Sequence, residues 1–256
     1  MVQLSSLAVV MCFLATMATT TSAATTIRSV ATADPVDCRV GEFCVSPDPF
    51  TAITHQDVVN GLWKPRDETL KDYVLAYTSA LESSKKFVLN IWPEHCIIGT
   101  PGHNIVSNVH AAALEWAKKK KMGIQYVLKG TNSFTEHYSA LRAEYKLSYD
   151  PATKLNQELI DNLAKASKVA IVGEALSHCV NYSVRDLVAN WPASRRKDLY
   201  VFTDCSSAVT GFESVGEEFV ADMKTAGLNV IKSTEYETFS LSLKSIESFY
   251  TCSIAV

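Results

Sequence analysis

The sequence carries no strong charge of either sign. Its 24 Lys and Arg stand against 27 Asp and Glu over 256 residues, a formal net charge of −3. That balance removes the broad electrostatic case for a nucleic-acid or anionic-membrane partner. No internal repeat and no low-complexity tract is present, so repeat architectures do not apply. Long hydrophobic runs are also scarce. The longest, residues 7–18, is too short for a comfortable membrane-spanning helix, and no later stretch is a transmembrane candidate. The one basic block, Lys118-Lys119-Lys120-Lys121, follows a helical pattern (Val106, Val109, Ala113, Trp116). It reads first as a solvated helix C-terminus that suits the dipole, and only distantly as a phosphate-binding patch.

What is present begins with an apolar N-terminus. Residues 1–23, with small residues Thr21-Ser22-Ala23 after the apolar run, resemble a secretory signal peptide that lacks a basic first segment. A genuine leader implies a secreted protein; otherwise a cytoplasmic one is expected. Residues 24–50 have no clear period and read as an irregular arm, and residues 51–256 as one domain with a substantial core. Of seven cysteines, the leader would remove Cys12 and leave six. An even count in a secreted chain permits disulfides, with Cys38 and Cys44 as the favoured pair. Cys96, Cys179 and Cys205 instead lie beside strand patterns, as in a reduced enzyme core.

Helical patterns begin near Glu68, Asn104, Leu155 and Phe212, with Gly227 placed as a C-cap. Strands are expected at residues 87–92, 124–128, 169–172 and 199–202, with a short one at 230–231. The tail from residue 235 has no readable pattern. Strand and helix alternate, which predicts a three-layer α/β/α fold around a mainly parallel sheet.

The stretch SKVAIVGEALSHCVNYSVRDLVANW, residues 167–191, organises the chain. Val169-Ala170-Ile171-Val172 suits a strand buried on both faces. Val180, Val184, Leu187, Val188 and Trp191 then share one helix face. Cys179 sits where strand hands over to helix, and free N–H groups at a helix start favour thiolate. Most free cysteines are inert buried hydrophobes, but the WPEHC loop and Lys129-Gly130 also fall at strand ends. In an open α/β sheet such ends converge on one crevice. A lysine there is usually a snorkelling surface group; inside a cleft its cation would support a thiolate.

VGEALSHCVNYSVRDL, WPEHCIIGTPGH and LKGTNSFTEHYSA resemble, in order and spacing, three motifs of the isochorismatase-like cysteine hydrolases, the superfamily that includes nicotinamidase. The resemblance covers residues 47–232. It implies Cys179 as the nucleophile that forms a thioester with an amide substrate, Lys129 as the triad lysine, and the Ala175 and Cys179 N–H groups as an oxyanion hole beside a cis peptide between Glu174 and Ala175. It further implies His95 as one ligand of zinc or another divalent metal that holds the pyridine nitrogen of nicotinamide, although a lone loop histidine is more often a hydrogen-bonding group. The family's first strand ends in an aspartate that serves as general acid and base. That strand, and the next one with further metal ligands, have no counterpart here, and Asp37 (in Val36-Asp37-Cys38) is the nearest echo of the acid. The resemblance therefore implies a fold whose N-terminal strands are missing, with residues 87–92 or a partner chain filling the gap. Two functions follow. One is a nicotinamidase-like amidohydrolase, of pyridine nucleotide metabolism, acting on a small-molecule amide. The other is a secreted, catalytically impaired relative that binds a small molecule or a partner. Homo-oligomerisation is open. The sequon Asn181-Tyr182-Ser183 falls on the nucleophile helix, where a glycan would be hard to accommodate.

Overall fold

The computed structural model describes residues 47–93, 95, 97 and 100–236, together with the strand backbones of 6–12, 38–39 and 248–255. In chain order the elements are β1 (Ser6–Cys12), β2 (Cys38–Arg39), β3 (Ala52–Ile53), α1 (His55–Val59), β4 (Trp63–Lys64), α2 (Lys71–Ser83), β5 (Leu89–Asn90), α3 (Ser107–Lys120), β6 (Gln125–Val127), α4 (Gln157–Ala164), β7 (Lys168–Gly173), α5 (Cys179–Ala189), β8 (Leu199–Phe202), α6 (Glu213–Thr225), β9 (Asn229–Ile231) and β10 (Ser248–Ala255). The fold is α/β. Its main sheet has six strands in the order β6-β10-β1-β7-β8-β9, and every pairing in it is parallel.

Parallel strands need both faces covered, so their sequences run apolar without alternating. β7 follows that rule: Val169, Ala170 and Ile171 are all buried. Val169 and Ile171 join Leu199 and Val201 of β8 and Val230 of β9 in the main core. Leu159, Ile160 and Leu163 of α4, Val180, Val184, Leu187 and Val188 of α5, and Phe219 and Met223 of α6 pack against them. The apolar spacing of each helix therefore selects the face it buries. α6 ends through Gly227 at φ +91, whose N–H bonds Lys224 O at 3.0 Å while Leu228 N–H bonds Met223 O at 3.0 Å. That paired closure needs a left-handed residue, which glycine supplies without steric cost.

The centre of the sheet, where a gap was expected, holds one N-terminal strand and one from the C-terminal tail. β1 lies between β10 and β7, with Leu7 opposite Lys168 and Cys12 opposite Gly173. The run SLAVVMC has the apolar, partly β-branched composition of a buried parallel strand. The same composition makes it look like the core of a leader, so the two readings share one local signal. β10, from the unreadable tail, takes the place between β1 and β6. Residues 87–92 do not enter this sheet. Only Leu89 and Asn90 are strand, paired antiparallel with Ile53 and Ala52. This ribbon belongs to a second core of Ile53, Val58, Trp63, Val74, Tyr77, Leu81, Leu89 and Ile91, which carries Phe87 and Trp92 towards the carboxyl edge of the main sheet.

Candidate active site

β7 ends at Gly173, whose φ of +130 lets the chain leave the strand where a side chain would be strained. The next peptide bond, Glu174–Ala175, is cis. The segment after β8 clasps this turn. Leu176 N–H bonds Ser207 O at 2.7 Å, and the Glu174 carboxylate accepts from Ser207 N–H and Oγ–H, both at 2.9 Å. Ser206 Oγ donates to Gly173 O. Ala175 O then receives His178 N–H at 3.0 Å and Val180 N–H at 3.1 Å, and α5 starts at Cys179. The N–H groups of Ala175 and Cys179 have no acceptor among the described residues.

Cys179 is buried, with Lys129 Nζ 3.4 Å from its Sγ. Lys129 follows β6 by two residues, and its ammonium also donates to His137 O at 2.7 Å. That carbonyl anchors the cation beside the sulfur rather than leaving it to snorkel outwards. His137 itself is pushed down to about 4, chiefly by burial and secondarily by the Lys129 charge.

Several groups around the thiol escape a sequence reading. His178, one residue before Cys179, is buried. Its Nδ1 lies 2.7 Å from Ser177 Oγ. Its ring stacks on Phe87 (centroids 4.9 Å, planes at 3°) and meets Phe212 and Trp92 edge-to-face at 4.8 Å and 5.2 Å. Tyr138 completes the group, its hydroxyl accepting from Trp92 Nε1–H at 3.4 Å. Burial first, and then the nearby charges of Glu136, Cys179 and Glu144, hold its phenol well above the usual range. Phe87 and Trp92 come from one segment and Tyr138 and Phe212 from two others, and no local spacing connects the three. The one available signal was His178 itself, a polar residue inside the nucleophile turn.

The remaining expectations do not converge on the thiol. Asp37 lies outside the described residues, as do Glu94 and Cys96 of the WPEHC loop. His95 is exposed, and its Nδ1–H donates to Pro93 O at 2.6 Å. No group of three His, Cys, Asp or Glu side chains able to hold a metal occurs among the described residues. A divalent ion needs several converging ligands, so the residues in view do not fit one. No helix among the described residues is long and apolar enough to cross a membrane.

A thiol held beside a lysine at a helix start, on the carboxyl edge of a parallel sheet, is an arrangement that can supply a nucleophile. The chain's three motifs resemble those of the isochorismatase-like superfamily, and one curated relative is similar to the chain in sequence. That relative is a nicotinamidase/pyrazinamidase of Mycobacterium tuberculosis (strain ATCC 25618 / H37Rv), 26% identical over 143 residues, which are 56% of this chain and 64% of the relative. The chain thus spans just under two thirds of the relative's length. No protein-family model matches. Among solved structures, the fold is similar to an Acinetobacter baumanii nicotinamidase pyrazinamidase (TM-score 0.49, 16% identity, covering 91% of this chain and 99% of that one). It is also similar to PnC1 from L. infantum in complex with nicotinate (TM-score 0.45, 16% identity, 91% and 96% covered). A third is the pyrazinamidase of Pyrococcus horikoshii in complex with zinc (TM-score 0.40, 14% identity, 89% and 99% covered). The functional reading rests on the motifs and the site, not on these superpositions.

Proposed function

We propose that this chain is a cysteine amidohydrolase that converts nicotinamide and water to nicotinate and ammonia. The observation that carries the reading is the 3.4 Å approach of Lys129 Nζ to Cys179 Sγ at the start of α5. The Cys179 thiolate attacks the amide carbonyl, forming a C–S bond while the carbonyl electron pair moves to oxygen. The Ala175 and Cys179 N–H groups donate to that oxyanion. Collapse breaks the C–N bond; the nitrogen takes up a proton and leaves as ammonia, and a thioester remains. Water then adds to the thioester carbonyl and the C–S bond breaks, releasing nicotinate and restoring the thiol. The proton that leaves the thiol and returns to nitrogen needs a carrier, a role this reading gives to Asp37. No step is routed through a metal, because the described residues do not build a site for one.

The test is ammonia release from nicotinamide by the full chain. Activity should fall at least about 1,000-fold in Cys179→Ala, as for the loss of a nucleophile. Asp37→Asn should impair release to a similar degree if Asp37 carries the proton. The second reading is a relative that binds without turnover, and it draws on the lack of a metal cluster among the described residues. Nicotinamide binding with no ammonia from the unmodified chain would establish that reading and overturn the hydrolase.

A further inference from the structure

We propose that His178 reads the substrate's ring: its Nε2–H donates to an acceptor atom in the ring of an aromatic amide, selecting a pyridine-type carboxamide over a plain benzene one. The inference rests on the amidase reading above and adds a ligand-recognition group to it.

His178 is 1% exposed, and its Nε2 has no hydrogen-bond partner among the described residues. Its tautomer follows from its neighbours. Ser177 Oγ accepts the Val209 N–H at 3.0 Å, and among the described residues its own hydroxyl proton has one acceptor in reach, His178 Nδ1 at 2.7 Å. A hydroxyl that donates to Nδ1 leaves the imidazole proton on Nε2. Burial holds the ring neutral, pushing it down to about 4, so this tautomer persists at neutral pH. The outcome is a buried donor, fixed in orientation by the Phe87 stack and left unsatisfied one residue from the nucleophile. Native structures rarely leave such a group without a purpose.

The surroundings specify the ligand. Phe87, Trp92, Tyr138 and Phe212 ring the imidazole, and aromatic faces of this kind suit a flat ring. Tyr138 is also close enough to Cys179 to feel its charge, so the same aromatic group borders both the thiol and the donor. A ligand with its carboxamide at the sulfur and an acceptor in its ring satisfies both. A neutral N–H performs the discrimination, because a ring without a nitrogen leaves the donor unpaired.

The test compares nicotinamide with benzamide, which differs only in lacking the ring nitrogen, on the full chain. Calorimetric binding to Cys179→Ala gives affinity without turnover. Nicotinamide should bind about tenfold more tightly, the worth of one hydrogen bond. His178→Phe keeps a flat ring on Phe87; it should weaken nicotinamide about tenfold, leave benzamide unchanged and so level the pair. Histidine 15N shifts should show His178 protonated at Nε2, and Ser177→Ala should blur that tautomer. Equal binding of both amides by the parent, or parallel weakening of both in His178→Phe, would overturn the proposal and mark His178 as packing, its N–H spent on the ring faces. If neither amide binds nor reacts, the amidase reading itself fails, and the ring-reading role goes with it. Turnover of both amides at equal rates keeps the amidase and removes only His178's role.

Discussion

Lys129 holds two acceptors at once, the Cys179 sulfur and the His137 carbonyl, so replacing it tests the site without assuming a substrate. Alkylation of Cys179 at neutral pH should slow about tenfold or more in Lys129→Met, which loses the cation. Lys129→Arg should recover part of the rate. Peptide mass spectrometry resolves the modified cysteine, and an unchanged rate in Lys129→Met would separate the lysine from thiolate support. Asn181 offers a second test. Its side chain is 1% exposed, its Nδ2 donates to Ser177 O at 3.3 Å, and its Oδ1 accepts from Arg185 Nε at 2.7 Å. Both ends of the amide are engaged in the interior, so the sequon should stay unmodified when the folded chain is made in a glycosylating host, as intact mass would show. Cys179 and Lys129 were legible because each ends or follows an apolar strand run. His178 was visible only as a residue in a turn, since its function depends on Phe87, Trp92, Tyr138 and Phe212 arriving from elsewhere.

Among the elements, β1 and α6 give opposite lessons. α6 was readable from Phe212, Val215, Phe219 and Met223 with Gly227 after it, and the helix spans Glu213–Thr225. Phe219 is fully buried, so Phe219→Ala should cost about 3–5 kcal/mol, measurable by urea unfolding. A loss under about 1 kcal/mol would mean the site collapses around the cavity. β1 could be read two ways from its own residues, as leader or strand, and we infer that it serves as strand. Its pairing with β7 from Leu7 to Cys12 and with β10 from Ser6 to Cys12 ties it into the sheet on both sides. A chain beginning at Ala24 would leave both neighbours with unpaired backbone groups, each costing about 1–3 kcal/mol when buried. That chain should lose its cooperative thermal transition. If it melts as the full chain does, β1 is not part of the folded core. N-terminal sequencing of the protein recovered from cells would decide whether the segment is retained.

For the molecule as a whole, two histidines whose Nε2 atoms are buried link stability to pH. His137 and His178 both fall from 6.5 to about 4 on folding. Below pH 6.5 the unfolded chain takes up protons that the folded one does not accept until about pH 4. Stability from these groups is therefore complete above that window, lost as pH falls through it, and level beneath it. The slope is at most about 1.4 kcal/mol per pH unit for each histidine. Urea midpoints should drop between neutral pH and pH 4.5, and His178→Phe should flatten the drop; an equally steep fall in that variant would assign it to other groups. By itself, the sequence determined the α/β class, the strand that leads to Cys179, and the convergence of Lys129 and Cys179 at strand ends. These are signals of period and composition that a short stretch of chain carries alone. Only the tertiary structure decided that Ser6–Cys12 and Ser248–Ala255 stand side by side within the main sheet, and that residues 87–92 stay outside that sheet and present an aromatic wall. Strand pairing and ring packing join residues distant in sequence, and their energy exists only once those residues meet.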